Sequence, residues 1–65
     1  MATRVRGIVE ATRRNDIKEL TRLLDQDPSL VNVVIEEDRK RTPLLYAAMG
    51  GHVDACRLLL GRGAD

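Results

Sequence analysis

The chain has 65 residues, 43% of them hydrophobic, with one cysteine and one aromatic residue, Tyr46. A chain of this length buries only about 60% of the surface that it exposes when unfolded, and a single cysteine excludes the internal disulfide that often stabilises small domains. Eleven basic and ten acidic residues give a net charge of +1, which disfavours a dedicated nucleic-acid-binding domain.

The first two predicted elements are helices joined by a short turn. The stripe of the first helix has helical spacing and consists of Val5, Ile8, Val9 and Thr12. Asn15 tolerates the left-handed conformation that ends helices, and Asp16 with Glu19 is typical of an N-cap with its capping-box partner. The apolar face of the second helix consists of Ile17, Leu20, Leu23 and Leu24. That helix ends at Asp27, because the residue before Pro28 is disfavoured in helical geometry.

A loop follows, and then two further helices are predicted. Residues 30–35 are rich in β-branched side chains and can be extended, and the charged residues 36–41 indicate an exposed turn. Thr42 and Pro43 are a helix-start signal, since the Thr hydroxyl can cap backbone N–H groups and proline needs no N–H at the first helical position. The apolar positions of these two helices are Leu44, Leu45, Ala47 and Ala48 in the third, and Val53, Cys56, Leu59 and Leu60 in the fourth. Glycines at positions 50 and 51 separate the two helices, and glycines at 61 and 63 end the second of them. The fold class is therefore predicted to be all-α.

An internal repeat becomes visible when the chain is shifted against itself by 36 residues. The shift aligns Ile8 and Val9 with Leu44 and Leu45, Ala11 with Ala47, Asn15 with Gly51, Ile17 with Val53, Leu20 with Cys56, and Leu23 and Leu24 with Leu59 and Leu60. Each aligned pair keeps its apolar character or its backbone role. The chain is therefore predicted to contain one and a half copies of a helix–turn–helix–loop unit.

The second copy resembles the ankyrin repeat. The resemblance rests on T-P-L-L-Y-A-A at residues 42–48, G-H at 51–52, L-L-L at 58–60 and G-A-D at 63–65. It implies a short solenoid of stacked helix pairs, with an N-terminal capping repeat at 1–32, an extended finger loop at 33–41 and a second repeat, truncated at its C-terminal end, at 42–65. Two residues depart from the family pattern: Leu45 replaces a histidine, and Lys40 replaces the glycine of the finger turn, which puts a tight turn there in doubt.

The resemblance also implies a surface that binds another protein, formed by the finger and the inward faces of the first helices. Carried onto this sequence, the partner-binding residues are Arg13, Arg14, Glu37, Arg39, Lys40, Arg41, Tyr46 and Met49. Arginine offers bidentate donors to carboxylates, so an acidic partner segment is the hypothesis. The alternatives are that the charged residues are ordinary solvated surface, and that Tyr46 and Met49 pack against the neighbouring repeat.

The sequence offers no pattern of catalytic residues, and no enzyme activity, cofactor, metal site or small-molecule substrate is predicted. His52 occupies a structural slot of the repeat, and no Ser or Cys nucleophile is matched to it by a motif. Cys56 lies on the apolar stripe and is interpreted as a small buried hydrophobic residue. No glycine-rich phosphate loop is present, since the run at residues 50–52 is too short to form one.

Two other functions stay open at this stage. One is a basic helical module that binds nucleic acid through residues such as Arg4 and Arg6. The other is a structural role in which the chain self-associates, because repeats of this kind bury their apolar faces only against neighbours. On that argument we expect the 65 residues to be a piece of a longer array, with Leu58 and Leu59 partly uncovered. The longest apolar run, residues 44–49, is far shorter than the roughly 20 residues that cross a bilayer, and a cytoplasmic location is expected, the nucleus not being excluded.

Overall fold

A computed structural model describes residues 3–35 and 39–64. The described part contains four α-helices and a short 3-10 helix: α1, Thr3–Arg13; α2, Ile17–Gln26; the 3-10 helix, Pro28–Asn32; α3, Pro43–Met49; and α4, Val53–Gly61. Over these residues the only β pairing is an isolated antiparallel bridge between Ile35 and Arg41. The predicted all-α fold of stacked helix pairs is confirmed.

The turn between α1 and α2 forms largely as the sequence predicts. Asn15 has a φ of 55°, the left-handed conformation expected at a helix end, and the Asp16 carboxylate accepts the Glu19 N–H at 3.2 Å. The reciprocal half of the capping box is not made. The Asp16 N–H already donates to the Ala11 carbonyl at 2.9 Å, and the Glu19 carboxylate instead binds Arg22, with 2.8 Å between Nη2 and Oε2.

The segment after α2 differs from the extended conformation considered for it. Residues 28–32 form the 3-10 helix, and the chain becomes extended only from Val33. Asp27 caps this helix by accepting the Ser29 N–H at 3.3 Å. Leu30 and Val31 are buried in the core, so their burial overrides the weak β preference of the local sequence.

The finger reverses direction without a glycine. The Ile35 N–H donates to the Arg41 carbonyl at 2.7 Å, while Arg39 and Lys40 have φ values of 55° and 58°. Two consecutive left-handed residues are the backbone of a type I′ turn, which usually contains glycine or asparagine. Arg39 and Lys40 therefore take left-handed positions without a glycine, and both are strained.

The second helix pair begins and ends slightly differently from the prediction. Thr42 occupies the N-cap position of α3, but its hydroxyl makes no capping hydrogen bond, so the predicted cap is wrong. Gly51 has a φ of 70° between α3 and α4. Helix α4 continues through Gly61, and the left-handed residue that follows it is Gly63, with a φ of 96°.

One hydrophobic core joins the two helix pairs. Its buried members are Ile8, Ala11, Leu20, Leu23, Leu24, Leu30, Val31, Ala47, Ala55 and Leu59. Helix α3 packs on α1, and α4 packs on α2. The expectation that Leu59 is partly uncovered is wrong, because this side chain is fully buried, while Leu58 is half-buried against the core.

Several predicted core positions of the second pair are exposed instead. Val53 is 58% exposed, Leu60 55% and Leu45 44%, and Ala48 is exposed as well. At the aligned positions of the first pair, Val9 and Leu24 are buried. The second pair therefore turns one apolar face to the first pair and leaves another open.

The opposite end of the stack is polar. Ala55 and Leu58 face the first helix pair from α4, whereas the aligned residues of α2 are Glu19 and Arg22, which form a salt bridge. Their hydrogen bond lowers the pKa of Glu19 and raises that of Arg22. The first pair thus presents charged side chains where the second pair presents aliphatic ones.

Polar contacts also connect the two pairs. The Asn32 Nδ2 donates to the Gly63 carbonyl at 3.1 Å, and Arg62 forms a salt bridge with Asp25 at 2.5 Å. Both contacts join the loop after α4 to the end of the first pair. No helix in the described part of the chain is long and apolar enough to span a bilayer.

Candidate functional site

A cleft of about 330 Å³ lies where the first helix pair, the finger and the second helix pair meet. We call it the basic cleft, and its lining residues are Arg13, Arg41, Tyr46, Met49, Gly50 and His52. Four of the predicted partner-binding residues, Arg13, Arg41, Tyr46 and Met49, are therefore brought together around one depression.

Each wall of the basic cleft belongs to a different element. Arg13 is the last residue of α1, and Arg41 follows the finger turn, where its carbonyl is fixed by the bridge to Ile35. Tyr46 and Met49 are three residues apart on α3, so their side chains lie on the same side of that helix. Tyr46 is half-buried, whereas Met49 is 57% exposed.

His52 lines the cleft and joins the two helix pairs. Its Nε2 lies 3.0 Å from the Arg13 carbonyl oxygen. Because a carbonyl oxygen only accepts hydrogen bonds, Nε2 carries the proton. The carbonyl belongs to the last turn of α1, where backbone oxygens lack helical partners. This is the geometry of a structural contact, in agreement with the interpretation of His52 from the sequence.

Gly50 makes room for the His52 ring. A Cβ at this position would lie 2.6 Å from the ring Nε2 and 2.7 Å from Cδ2. The φ and ψ of Gly50, −86° and −5°, suit any residue, so only the ring requires glycine here. The predicted partner-binding residues include neither Gly50 nor His52. One sequence feature could have pointed to this contact. Gly51 alone is enough for the turn, so the second glycine, Gly50, requires another explanation.

Arg14 lies outside the basic cleft, although it is adjacent to Arg13 in the sequence. Glu10 contacts both side chains, with its carboxylate 4.0 Å from Arg13 Nη1 and 3.7 Å from Arg14 Nη2. Successive residues of a helix point about 100° apart, so the two guanidinium groups serve different surfaces.

Arg14 faces a second, larger groove of about 580 Å³ on the outer side of the first helix pair. The lining residues of this groove are Gly7, Glu10, Ala11, Arg14, Asp16, Lys18, Glu19 and Arg22. Ion pairs between Glu10 and Arg14 and between Glu19 and Arg22 neutralise much of its charge. The larger groove therefore favours no particular ligand class, and the basic cleft is the better candidate despite its smaller size.

The remaining predicted site residues are in the finger. Arg39 and Lys40 are exposed in the left-handed turn, and neither lines the basic cleft. Glu37 lies outside the described residues. The structure thus divides the predicted surface into a cleft, a basic turn and, through Arg14, a separate groove.

No candidate metal site is present in residues 3–35 and 39–64. Within those ranges no three His, Cys, Asp or Glu side chains are grouped so that they could hold a metal ion. Cys56 is half-buried and packs against the core, so the prediction that it is buried holds only in part. The chemistry of the cleft is that of hydrogen-bond donors beside an apolar wall.

Comparisons with known proteins agree with the repeat pattern. Residues 39–65 match the family described as Ankyrin repeat, which confirms the resemblance of residues 42–65. A relative, the serine/threonine-protein kinase VIK of Arabidopsis thaliana, is 40% identical over 52 residues, which cover 80% of this chain and 11% of that protein. The chain thus spans a small part of that curated relative. No solved structure matches the chain.

Proposed function

We propose that this chain is a non-catalytic scaffold that binds another protein through the basic cleft, because residues 39–65 match the ankyrin-repeat family, whose repeats are protein-interaction modules. The observation that carries the proposal is the convergence of Arg13, Arg41, Tyr46 and Met49 on one depression. Such a surface combines charged donors with an aromatic and a thioether side chain, the residue types that are enriched at protein interfaces.

The partner segment that fits this surface is acidic. Arg13 and Arg41 line the cleft, and none of its described lining residues is acidic. Arginine pairs with carboxylates through two parallel hydrogen bonds, which gives orientation as well as attraction.

The proposed organisation is a capping repeat at 1–32, a finger at 33–41 and a second repeat at 42–65. The polar end of the stack supports it, because Glu19 and Arg22 stand where the second pair has Ala55 and Leu58. Terminal repeats of solenoids carry a polar outer face of this kind.

The kinase relative contributes no catalytic role to this proposal. Its name states a kinase activity, but the matching residues cover 11% of that protein. We propose that the chain works without a cofactor or small-molecule substrate. A cytoplasmic location is part of the proposal, and the unpaired Cys56 is compatible with a reducing compartment.

Charge reversal tests the proposed surface. We expect a fluorescein-labelled hexaglutamate peptide to bind the full chain, with binding lost in the double variant Arg13→Glu/Arg41→Glu and kept in the control Arg57→Glu. Arg57 is exposed on α4 and does not line the cleft. Fluorescence anisotropy at low salt measures the affinities, and circular dichroism checks that the variants remain helical. Equal binding by the double variant and the wild type would contradict the proposed surface.

Self-association is a second candidate, favoured by the open apolar face of the second pair. Leu45, Val53 and Leu60 are about half exposed there, whereas the far end of the stack carries the Glu19–Arg22 salt bridge. Apolar and charged ends do not match, so a second copy would pair through the same face, apolar to apolar. Sedimentation velocity at two concentrations tests this. A dimer that the Leu60→Lys substitution dissociates would support it, and a monomer at both concentrations would exclude it.

A further inference from the structure

The hydroxyl of Thr42 lacks the intramolecular partner that three other hydroxyl groups of the chain have. Thr12 and Thr21 each donate to a carbonyl oxygen of their own helix at 2.7 Å, and Ser29 donates to a neighbouring carboxylate. The Thr42 hydroxyl makes no capping hydrogen bond. Among the described residues the buried side-chain polar atoms without a partner consist of Asn15 Oδ1 alone, so the Thr42 oxygen is open to solvent.

The residues that precede Thr42 are accessible to another protein. Arg39 and Lys40 are exposed in the left-handed turn, and Thr42 has an extended backbone, with a φ of −106° and a ψ of 165°. Many peptides lie in the groove of another protein in an extended conformation. Pro43, the next residue, is fully buried. A protein that contacts the Thr42 hydroxyl therefore contacts the chain mainly on the N-terminal side of this residue.

The accessible side of Thr42 carries a charge pattern that protein kinases select. Arg39 and Lys40 stand three and two residues before the hydroxyl, and kinases discriminate between substrates partly by the pattern of charges around the acceptor. Thr3 provides the comparison, because it is exposed as well but is preceded only by an uncharged methionine and alanine. The basic residues therefore favour Thr42 over Thr3 as an acceptor.

We propose that Thr42 is a phosphorylation site for a kinase that selects basic residues before the acceptor, and that its phosphate weakens binding of an acidic partner. In this reaction the Thr42 Oγ1 attacks the γ-phosphorus of ATP, and the bond from that phosphorus to the departing ADP oxygen breaks. The hydroxyl proton passes to a base of the kinase. The effect on the partner rests on the proposed function and adds a means of regulating it.

The phosphate would act on the basic cleft through its position in the chain. Thr42 directly follows Arg41, which lines the cleft, and consecutive Cα atoms are about 3.8 Å apart. A phosphate there adds a charge of about −1.5 to −2 at pH 7, within the screening length of about 8 Å at physiological ionic strength. The carboxylates of an acidic segment are then repelled from the surface that attracts them in the unmodified chain.

Phosphorylation of the full chain in vitro tests the site. The chain is incubated with ATP and a purified kinase that selects arginine three residues before the acceptor, and mass spectrometry locates the phosphate. We expect one phosphate, on Thr42, retained in Thr42→Ser and lost in Thr42→Ala. The double variant Arg39→Gln/Lys40→Gln should be phosphorylated at least about tenfold more slowly, and the control Arg57→Gln at the rate of the wild type. Phosphate on Thr3 instead, or an equal rate in the double variant, would overturn the proposal.

A synthetic chain with phosphothreonine at position 42 tests the effect on binding. A chain with phosphothreonine at position 3 is the matched control, since Thr3 lies about 15 Å along α1 from Arg13. At an ionic strength of about 0.15 M, the phosphate at position 42 should weaken binding of labelled hexaglutamate at least about fivefold, and the control phosphate less than about twofold. Circular dichroism checks that both chains remain helical. Equal affinities of the two phosphorylated chains would contradict a local effect.

The unmodified chain separates this proposal from the proposed function. Hexaglutamate that binds the unmodified chain and the chain phosphorylated at position 42 equally well would reject the regulation and leave the proposed function standing. Hexaglutamate that does not bind the unmodified chain would reject the proposed function and the regulation with it. The kinase reaction then decides by itself whether Thr42 is the acceptor.

Discussion

Lys40 adopts a backbone conformation that its side chain disfavours. Its φ of 58° and that of 55° at Arg39 place both residues in the left-handed region, where a Cβ costs roughly 1 kcal/mol or more. We predict that Lys40→Gly is more stable than Lys40→Ala by about 1 kcal/mol, since both remove the lysine and only glycine relieves the strain. Urea unfolding followed by circular dichroism measures the difference. Equal stability of the two variants would show that the turn carries no strain at this position.

Gly50 and Gly61 should respond in opposite ways to the same substitution. Neither has a positive φ, but a Cβ at Gly50 would clash with the His52 ring, whereas a Cβ at Gly61 would meet nothing within 4 Å. We predict that Gly61→Ala stabilises the chain by about 0.5 kcal/mol or more, through helix propensity. We predict that Gly50→Ala destabilises it by about 1 kcal/mol, because the displaced ring loses its hydrogen bond to the Arg13 carbonyl.

The double variant Gly50→Ala/His52→Ala provides the control for that argument. Without the ring there is nothing for the new methyl group to displace, so adding Gly50→Ala to His52→Ala should cost nothing. Thermal unfolding of the wild type, the two single variants and the double variant measures the coupling between the two positions. Additive effects of the two substitutions would contradict a steric role for the ring.

The residues of the site could be predicted from the sequence, but their grouping on one surface only in part. Arg13, Arg41, Tyr46 and Met49 were identified through the repeat pattern and meet in the cleft. Arg14 was identified by the same reasoning and lies in another groove. Which of two adjacent arginines faces the cleft depends on the rotation of α1 against α3, and that is set by core packing across the two pairs.

At the scale of elements, the N-cap residues of α2 and α3 differ in how much they are expected to stabilise the fold. Asp16 accepts a hydrogen bond from the Glu19 N–H, whereas the Thr42 hydroxyl makes no such bond. We predict that Asp16→Ala costs about 1 kcal/mol of stability, the usual value of an N-cap. Thr42→Ala should cost clearly less. Chemical unfolding of both variants measures the costs, and a larger loss for Thr42→Ala would mean that its hydroxyl caps α3 in solution.

The cap of the 3-10 helix gives the chain a pH dependence. Hydrogen bonds from Ser29, followed by the nearby Arg4, hold the pKa of Asp27 below its usual value. Because the unfolded chain then binds the proton first as the pH falls, the contribution of Asp27 is complete above about pH 4. It is lost as the pH falls further, through the lower pKa of the folded state.

The variant Asp27→Asn isolates this effect, because asparagine keeps an oxygen that can accept from the Ser29 N–H but carries no charge. We predict that the wild type melts at a higher temperature than the variant at pH 7 and that the gap narrows as the pH falls below about 4. Melting curves at several pH values measure the gap. A gap that stays constant down to about pH 2 would rule out the charge of Asp27 as its source.

The boundaries of the elements could be predicted where the residues at the boundary themselves determine the backbone conformation. Asn15 and Asp16 mark the boundary between α1 and α2, and both take the predicted roles. The 3-10 helix was not predicted, because the burial of Leu30 and Val31 decides its conformation and burial depends on contacts with other helices. The predicted capping bond of Thr42 is wrong, because a residue type that favours capping does not guarantee that its side chain makes the hydrogen bond.

At the scale of the whole molecule, the sequence does not tell which apolar face of α4 is covered. Leu59 and Leu60 are adjacent leucines, yet the first is fully buried and the second is 55% exposed. Helix α4 has apolar residues on more than one face, so its periodicity is compatible with either face packing on α2. The choice follows from the small side chain of Ala55, which is fully buried on the same side of the helix as Leu59.

The shared core implies that the two helix pairs unfold together. Ile8 of α1 and Leu59 of α4 are both fully buried and belong to one cluster. We predict that Ile8→Val lowers the free energy of unfolding by about 0.5–1.5 kcal/mol. The slowest-exchanging amides of both pairs should then exchange roughly two- to tenfold faster, because they open in the same global event.

Val53→Ala is the control, since Val53 is 58% exposed and its truncation removes little buried surface. Hydrogen exchange measured by NMR compares α2 with α4 in each variant. If Ile8→Val accelerated exchange only in α1 and α2, the second pair would hold its structure independently, and the contacts from Asn32 and His52 would be insufficient to couple the pairs.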